Sequence, residues 1–82
     1  MENKQIITGI DIGTTKIAVV IAECIGDKDQ IRILGVGDAP SNGLKKGVVV
    51  NMNQTVDSLA MALSEAENQA DIEVDQAFVG IT

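Results

Sequence analysis

The chain has 82 residues, 45% of them apolar, and a formal net charge of −6. This length suits one small domain, and the acidic balance argues against a nucleic-acid surface, which needs a basic patch to displace counterions. Because the chain has no histidine and a single cysteine, Cys24, Cys/His metal sites and an internal disulfide are excluded.

The first half of the chain predicts three β-strands joined by short turns. Residues 6–12 and 16–25 are apolar and rich in β-branched side chains, which suit a pleated sheet. A polar turn at residues 26–29 leads into a third strand over residues 30–36. Strands joined so closely predict an antiparallel meander.

The second half predicts a loop, a helix and a final strand. Residues 37–47 have the Gly, Pro, Ser and Asn content of an exposed loop, and residues 48–50 suggest a short extended piece. Asn51 or Asn53 offers an N-cap for a helix that runs to about residue 70. Its apolar stripe at helical spacing consists of Val56, Leu59, Ala60, Leu63, Ala66 and Ala70. Residues 77–81 predict a strand beside the first one and parallel to it, because a helical crossover returns the chain in the same direction.

Several charged or reactive side chains have plain structural interpretations. Glu65 and Glu67 lie late in the helix, where the helix dipole disfavours them, so we expect solvated surface charges. Cys24 is expected to be a small core residue rather than a nucleophile, since no histidine could activate it.

The turn between the first two strands carries the chemistry. A turn that only reverses the chain favours Asn-Gly or Asp-Gly, whereas here Gly13 precedes Thr14, Thr15 and Lys16. A glycine permits unusual backbone conformations and close approach, so the amides of residues 13–15 can form an anion-binding nest. Lys16 adds a positive charge suited to phosphate. Asp11, just before the nest, would attract the hydrated Mg²⁺ that accompanies a nucleotide.

Each of these residues also has a plainer interpretation. Asp11 could be a polar strand end bonded to the backbone, the two threonines could simply favour β-structure, and Lys16 could be an ordinary exposed lysine. A dinucleotide-binding fingerprint at residues 35–37 is rejected, because Pro40 stands where the last Gly or Ala is required. The P-loop pattern is also missing, since no Gly-Lys-Ser/Thr ends the first turn.

The string Gly9-Ile10-Asp11-Ile12-Gly13-Thr14-Thr15-Lys16 resembles the first phosphate loop of the actin, Hsp70 and sugar-kinase superfamily. Residues 17–23, 33–37, 40–44, 46–51 and 62–67 further resemble the opening of the FtsA family of bacterial cell-division proteins. The resemblance covers nearly the whole chain. It implies an α/β, actin-like (ribonuclease H-like) ATPase fold, of which residues 1–82 would be the N-terminal part of subdomain 1A, an incomplete fragment.

The resemblance also implies cofactors and site residues. ATP and Mg²⁺ would bind at Asp11, Gly13, Thr14, Thr15 and Lys16, with Asp11 reaching the metal through water. No residue of this chain can be assigned to orienting the attacking water. We therefore expect at most a weak ATPase in the intact protein and an inactive isolated segment.

The partners and location follow from the same resemblance. The intact protein would form filaments and tether the tubulin-like division protein FtsZ to the inner face of the cytoplasmic membrane at the division site. Membrane contact would use a tail that lies outside this segment. The segment itself shows no secretion signal and no run of about 18 apolar residues, so it is expected to be cytoplasmic.

Three rivals share the superfamily: a small-molecule kinase, a pilus-assembly scaffold and an Hsp70-type chaperone. Lys16 and the loop over residues 43–51 favour the division protein over the kinase. The chain ends where the family has an inserted subdomain. We therefore expect the isolated segment to bind nucleotide weakly and to self-associate through an uncovered sheet edge or apolar face.

Overall fold

The computed structural model describes residues 4–26, 30–41, 44–45, 48–49 and 51–81. The elements follow in the order β1 (Lys4–Ile12), β2 (Lys16–Ile25), β3 (Gln30–Pro40), β4 (Leu44–Lys45), β5 (Val48–Val49), α1 (Met52–Ala70) and β6 (Phe78–Ile81). Within these ranges, no helix combines the length and the apolar character that a membrane crossing requires.

The main sheet has the strand order β3-β2-β1-β6, and β4 pairs with β5 in a separate ladder. The first three strands form an antiparallel meander, in which Ile12 of β1 lies opposite Ile17 of β2. β6 joins β1 in parallel, with Gly9 opposite Phe78. The predicted fold class, a meander followed by a crossover helix and a parallel strand, is confirmed.

The third strand is longer than predicted. β3 continues to Pro40, so the expectation of a loop is wrong for residues 37–40 and again for Leu44–Lys45. Glycine and proline usually interrupt strands, but Pro40 stands at the end of β3, where a missing N–H is tolerated. The rest of the predicted loop at residues 42, 43, 46 and 47, and residues 27–29 of the predicted polar turn, lie outside the described residues.

The core lies between α1 and one face of the sheet. Ile17, Val19 and Ile21 of the central strand β2 have no exposed surface. Cross-strand pairing places Ile10 of β1 and Ala39 of β3 on the same face, and both are buried. Burial of an aliphatic side chain of this size contributes about 1.5–3 kcal/mol, so β2 supplies the centre of the core.

Small residues bring α1 close to β3. The buried residues of the helix are Thr55, Ser58, Ala62 and Ala66. A Cβ atom placed on Gly35 would overlap the carbonyl oxygen of Ala66, and one on Gly37 would overlap that of Ala62. The helix backbone therefore lies directly against the strand, which any larger residue at the two glycines would prevent.

This close approach shifts the buried face of α1 from the predicted stripe. Val56 is 53% exposed and Ala60 is exposed, so the prediction is wrong at these two positions. It holds for the buried Ala66 and for the partly buried residues Leu59, Leu63 and Ala70. The centre of the face is occupied by small side chains because the helix lies too close to the strand for larger ones.

Both ends of α1 are capped. The Oδ1 atom of Asn51, one of the two predicted N-caps, accepts a hydrogen bond from the Gln54 N–H at 3.0 Å. At the other end Asp71 takes the left-handed conformation, with φ of 56°. Glu67 is half-buried and its Oε2 accepts from the Val74 N–H at 2.7 Å. The expectation that Glu67 is a solvated surface charge is therefore wrong, because its carboxylate fastens the segment that leads into β6.

The face of the sheet opposite α1 is apolar, and no described element covers it. Ile31 is 68% exposed and Phe78 is 77% exposed. Their cross-strand partners, Cys24 and Gly9, lie on the side away from the helix. Self-association through such a surface stays a prediction.

The close approach of α1 to β3 can be tested by filling it. We expect Gly37→Ala to lower the free energy of unfolding by about 1–3 kcal/mol, because the added methyl group overlaps the Ala62 carbonyl. Urea denaturation followed by circular dichroism measures this. Gly9→Ala is the matched control, since no atom beyond its two chain neighbours lies within 4 Å of the position of its Cβ. Equal losses in both variants would contradict the described packing.

Candidate functional site

The five predicted site residues lie together at one end of the sheet. Asp11 is near the end of β1, Gly13, Thr14 and Thr15 lie in the turn, and Lys16 begins β2. Four of them are exposed, and Gly13 is half-buried. The structure therefore presents one carboxylate, two hydroxyls and one ammonium group to solvent within a six-residue stretch.

One of the three amides predicted to form the anion-binding nest, that of Gly13, is used in a hydrogen bond within the turn. The Gly13 N–H donates to the Lys16 carbonyl at 3.0 Å, which extends the β1–β2 ladder and leaves Thr14 and Thr15 at the tip. In the described part of the chain, the left-handed φ values belong to Gly26 and Asp71 and not to Gly13. The expectation that Gly13 lends an unusual conformation and a nest amide is thus corrected. Gly13 as a place of close approach to a ligand stays a prediction.

The end of β3 holds the same turn from the other side. Ser41, one residue beyond β3, donates its N–H to the Thr15 carbonyl at 3.1 Å. Pro40 lies opposite Lys16, so Ser41 continues the same register opposite Thr15. Hydrogen-bonded pairs alternate with non-hydrogen-bonded pairs in an antiparallel ladder, so the missing N–H of Pro40 costs no bond to β2. The turn is therefore fixed by hydrogen bonds from both neighbouring strand ends.

The side chain of Ser41 is a feature that the sequence did not reveal. Its Oγ atom is buried and has no hydrogen-bond partner in the described structure. Sequence reasoning placed Ser41 in an exposed loop, because it stands among Gly, Pro and Asn. No spacing or motif marks it, since its role depends on where β3 ends relative to the turn.

The N-terminal turn of α1 lies at the same end of the sheet as the turn between β1 and β2. α1 runs antiparallel to β3, because Ala66 lies over Gly35 and Ala62 over Gly37. Four helical residues rise about 6 Å, close to the length of two strand residues. The helix therefore begins level with the end of β3, and the positive end of its dipole lies at the same end of the sheet as the tip.

The donor set fits a hydrated metal ion better than a protein-enclosed one. Across the described ranges, no three His, Cys, Asp or Glu side chains are grouped to hold a metal. A Mg²⁺ ion beside Asp11 would take its other ligands from water and phosphate oxygens, as Mg²⁺ commonly does next to a nucleotide. The threonine hydroxyls and Lys16 are exposed, and they would supply donors and charge for such phosphates.

Comparison with known proteins identifies the family. No protein-family model matches the chain. The chain is 43% identical over 81 residues to the cell division protein FtsA of Pseudomonas aeruginosa. It is 45% identical over 73 residues to that of Enterococcus faecalis and 37% identical over 81 residues to that of Bacillus subtilis. The chain is a homologue of part of the cell division protein FtsA.

The matches cover the chain far more fully than they cover the relatives. They include 99%, 89% and 99% of this chain but 19%, 16% and 18% of the three FtsA proteins. The chain thus spans about a fifth of the length of the Pseudomonas aeruginosa protein. FtsA relatives imply an actin-like fold, and the described sheet and helix agree with it. The assignment of residues 1–82 to subdomain 1A stays a prediction.

The N-cap of α1 in this FtsA homologue can be tested by substitution. We expect Asn51→Ala to lower the free energy of unfolding by about 1 kcal/mol, because the Gln54 amide loses its cap. Chemical denaturation provides the measurement. Asn53→Ala, at the alternative predicted cap, changes an exposed residue within the helix and should have an effect within about 0.5 kcal/mol. The reverse order of the two effects would contradict the cap.

Proposed function

We propose that this chain supplies the first phosphate-binding turn of an ATP-binding FtsA-type protein. The observation that carries the proposal is the exposed set of Asp11, Thr14, Thr15 and Lys16 on a turn whose backbone is fixed from two sides. A turn that is already ordered loses little conformational freedom on binding, so its donors can hold an anion at low entropic cost.

The residues have distinct roles in this proposal. The amides and hydroxyls of Thr14 and Thr15 donate to phosphate oxygens, and the Lys16 ammonium adds a charge-assisted hydrogen bond. Asp11 holds the Mg²⁺ through water and so places the cation against the phosphates. When bound, Mg-ATP supplies the cation that offsets phosphate charge beside a chain of net charge −6.

The role in the cell is proposed from the family. The relatives are named as cell division proteins, which supports a role in cell division. We infer that the intact protein forms filaments and tethers FtsZ to the inner face of the cytoplasmic membrane at the division site. None of these interactions is assigned to a described residue. ATP hydrolysis, at most weak, would need groups beyond the four named here.

Nucleotide binding is tested by titration calorimetry of the intact protein with ATP, with and without Mg²⁺. We expect Asp11→Asn to weaken Mg-ATP binding about tenfold, which corresponds to about 1.4 kcal/mol and is of the order of one hydrogen bond to a charged group. Its affinity should also respond less to Mg²⁺ than that of the parent.

Glu65→Gln is the matched control for Asp11→Asn. It also neutralises an exposed carboxylate, on α1, and should leave the affinity unchanged. A parent protein that does not bind Mg-ATP would refute the proposal. An equal loss in Asp11→Asn and Glu65→Gln would refute the role of Asp11, since general charge would then explain both.

A further inference from the structure

Two features of Ser41 set it apart from the other residues around the turn. Its N–H is bonded to the Thr15 carbonyl, and its hydroxyl oxygen is buried without a hydrogen-bond partner among the described residues. Buried polar atoms without partners are uncommon in native proteins and call for an explanation. Ser41 therefore has a hydrogen-bonded amide and an unpaired hydroxyl.

The hydrogen bond from the Ser41 N–H to the Thr15 carbonyl orients the Thr14–Thr15 tip of the turn. The carbonyls of Thr15 and Lys16 are adjacent, and they are held by Ser41 on the β3 side and by Gly13 on the β1 side. Because a peptide unit is planar, fixing the Thr15 carbonyl also fixes the Lys16 N–H that shares its plane. The orientation of the tip therefore depends on where Ser41 lies.

The buried hydroxyl belongs to the same residue that bonds the turn. Ser41 follows the buried Ala39 at the two-residue spacing of a strand, which places it on the face that α1 covers. A hydroxyl can both donate and accept, so an unpaired one forgoes two kinds of bond. The free energy of the state that leaves it unpaired is raised, and a state that pairs it is favoured by comparison.

We propose that Ser41 is a positioning residue for the phosphate-binding turn. Its amide holds the Thr14–Thr15 tip, and its hydroxyl forms a hydrogen bond with the tip when a phosphate group occupies the site. Ser41 itself does not touch the phosphate. The inference rests on the proposed nucleotide site and adds a residue that stabilises the occupied form over the empty one.

The experiment compares Ser41→Ala with the parent in the intact protein, by calorimetric titration with Mg-ATP and by thermal unfolding without nucleotide. We expect affinity to fall about three- to tenfold, the range of one hydrogen bond. Stability without nucleotide should stay equal or rise, because the unpaired hydroxyl is removed. Ser41→Thr keeps a hydroxyl and should restore most of the affinity. Ser64→Ala, which removes an exposed hydroxyl on α1, should change neither quantity.

The outcomes separate this inference from the proposed function. If the parent binds Mg-ATP and Ser41→Ala binds it equally well, the hydroxyl does not stabilise the occupied form, and the inference is overturned while the nucleotide site stands. If Ser41→Ala loses stability without nucleotide, the residue is structural, and the inference is again overturned. Failure of the parent to bind Mg-ATP overturns both, and this is seen before any Ser41 variant is made.

Discussion

The described structure depends on the contact between the backbone of α1 and the two glycines of β3. Gly35 and Gly37 leave space that the carbonyl groups of Ala66 and Ala62 occupy, so the helix lies flat on the strand. If either glycine carried a side chain, the helix would have to move outward, and the buried residues of β2 would lose their cover. Phe78 is the one aromatic residue of the chain, and it is exposed. Close packing of small and aliphatic groups therefore has to provide the core.

The same contact connects the core to the candidate site. It fixes α1 antiparallel to β3, and the end of β3 then meets the turn between β1 and β2 through Ser41 and Thr15. The turn is therefore part of the sheet's hydrogen-bonding framework and not a loop added to it. A site built on strand ends can keep its donors in place better than one built on a long loop. The same framework would hold the exposed side chains of the proposed nucleotide site in place.

Much of the fold was predictable because local preference and tertiary packing agree. β-Branched residues marked β1 and β2, and β2 runs over Lys16–Ile25 as predicted. The prediction failed where small residues carry the packing. Gly37 was assigned to a loop because glycine usually interrupts strands. The predicted helical face included Val56 and Ala60, because hydrophobicity cannot reveal a helix that approaches within backbone contact. The motif was predicted to lie in a turn between the first two strands, and it does. The engaged Gly13 amide and the hydroxyl of Ser41 depend on register and could not be read from the sequence.

The close contact of the Ala66 carbonyl with Gly35, and of the Ala62 carbonyl with Gly37, also limits how α1 can move on the sheet. Two fixed points along one strand prevent the helix from sliding along the sheet or rolling on it without opening the core. We therefore expect α1 and β3 to keep their relative position when other parts of the chain move.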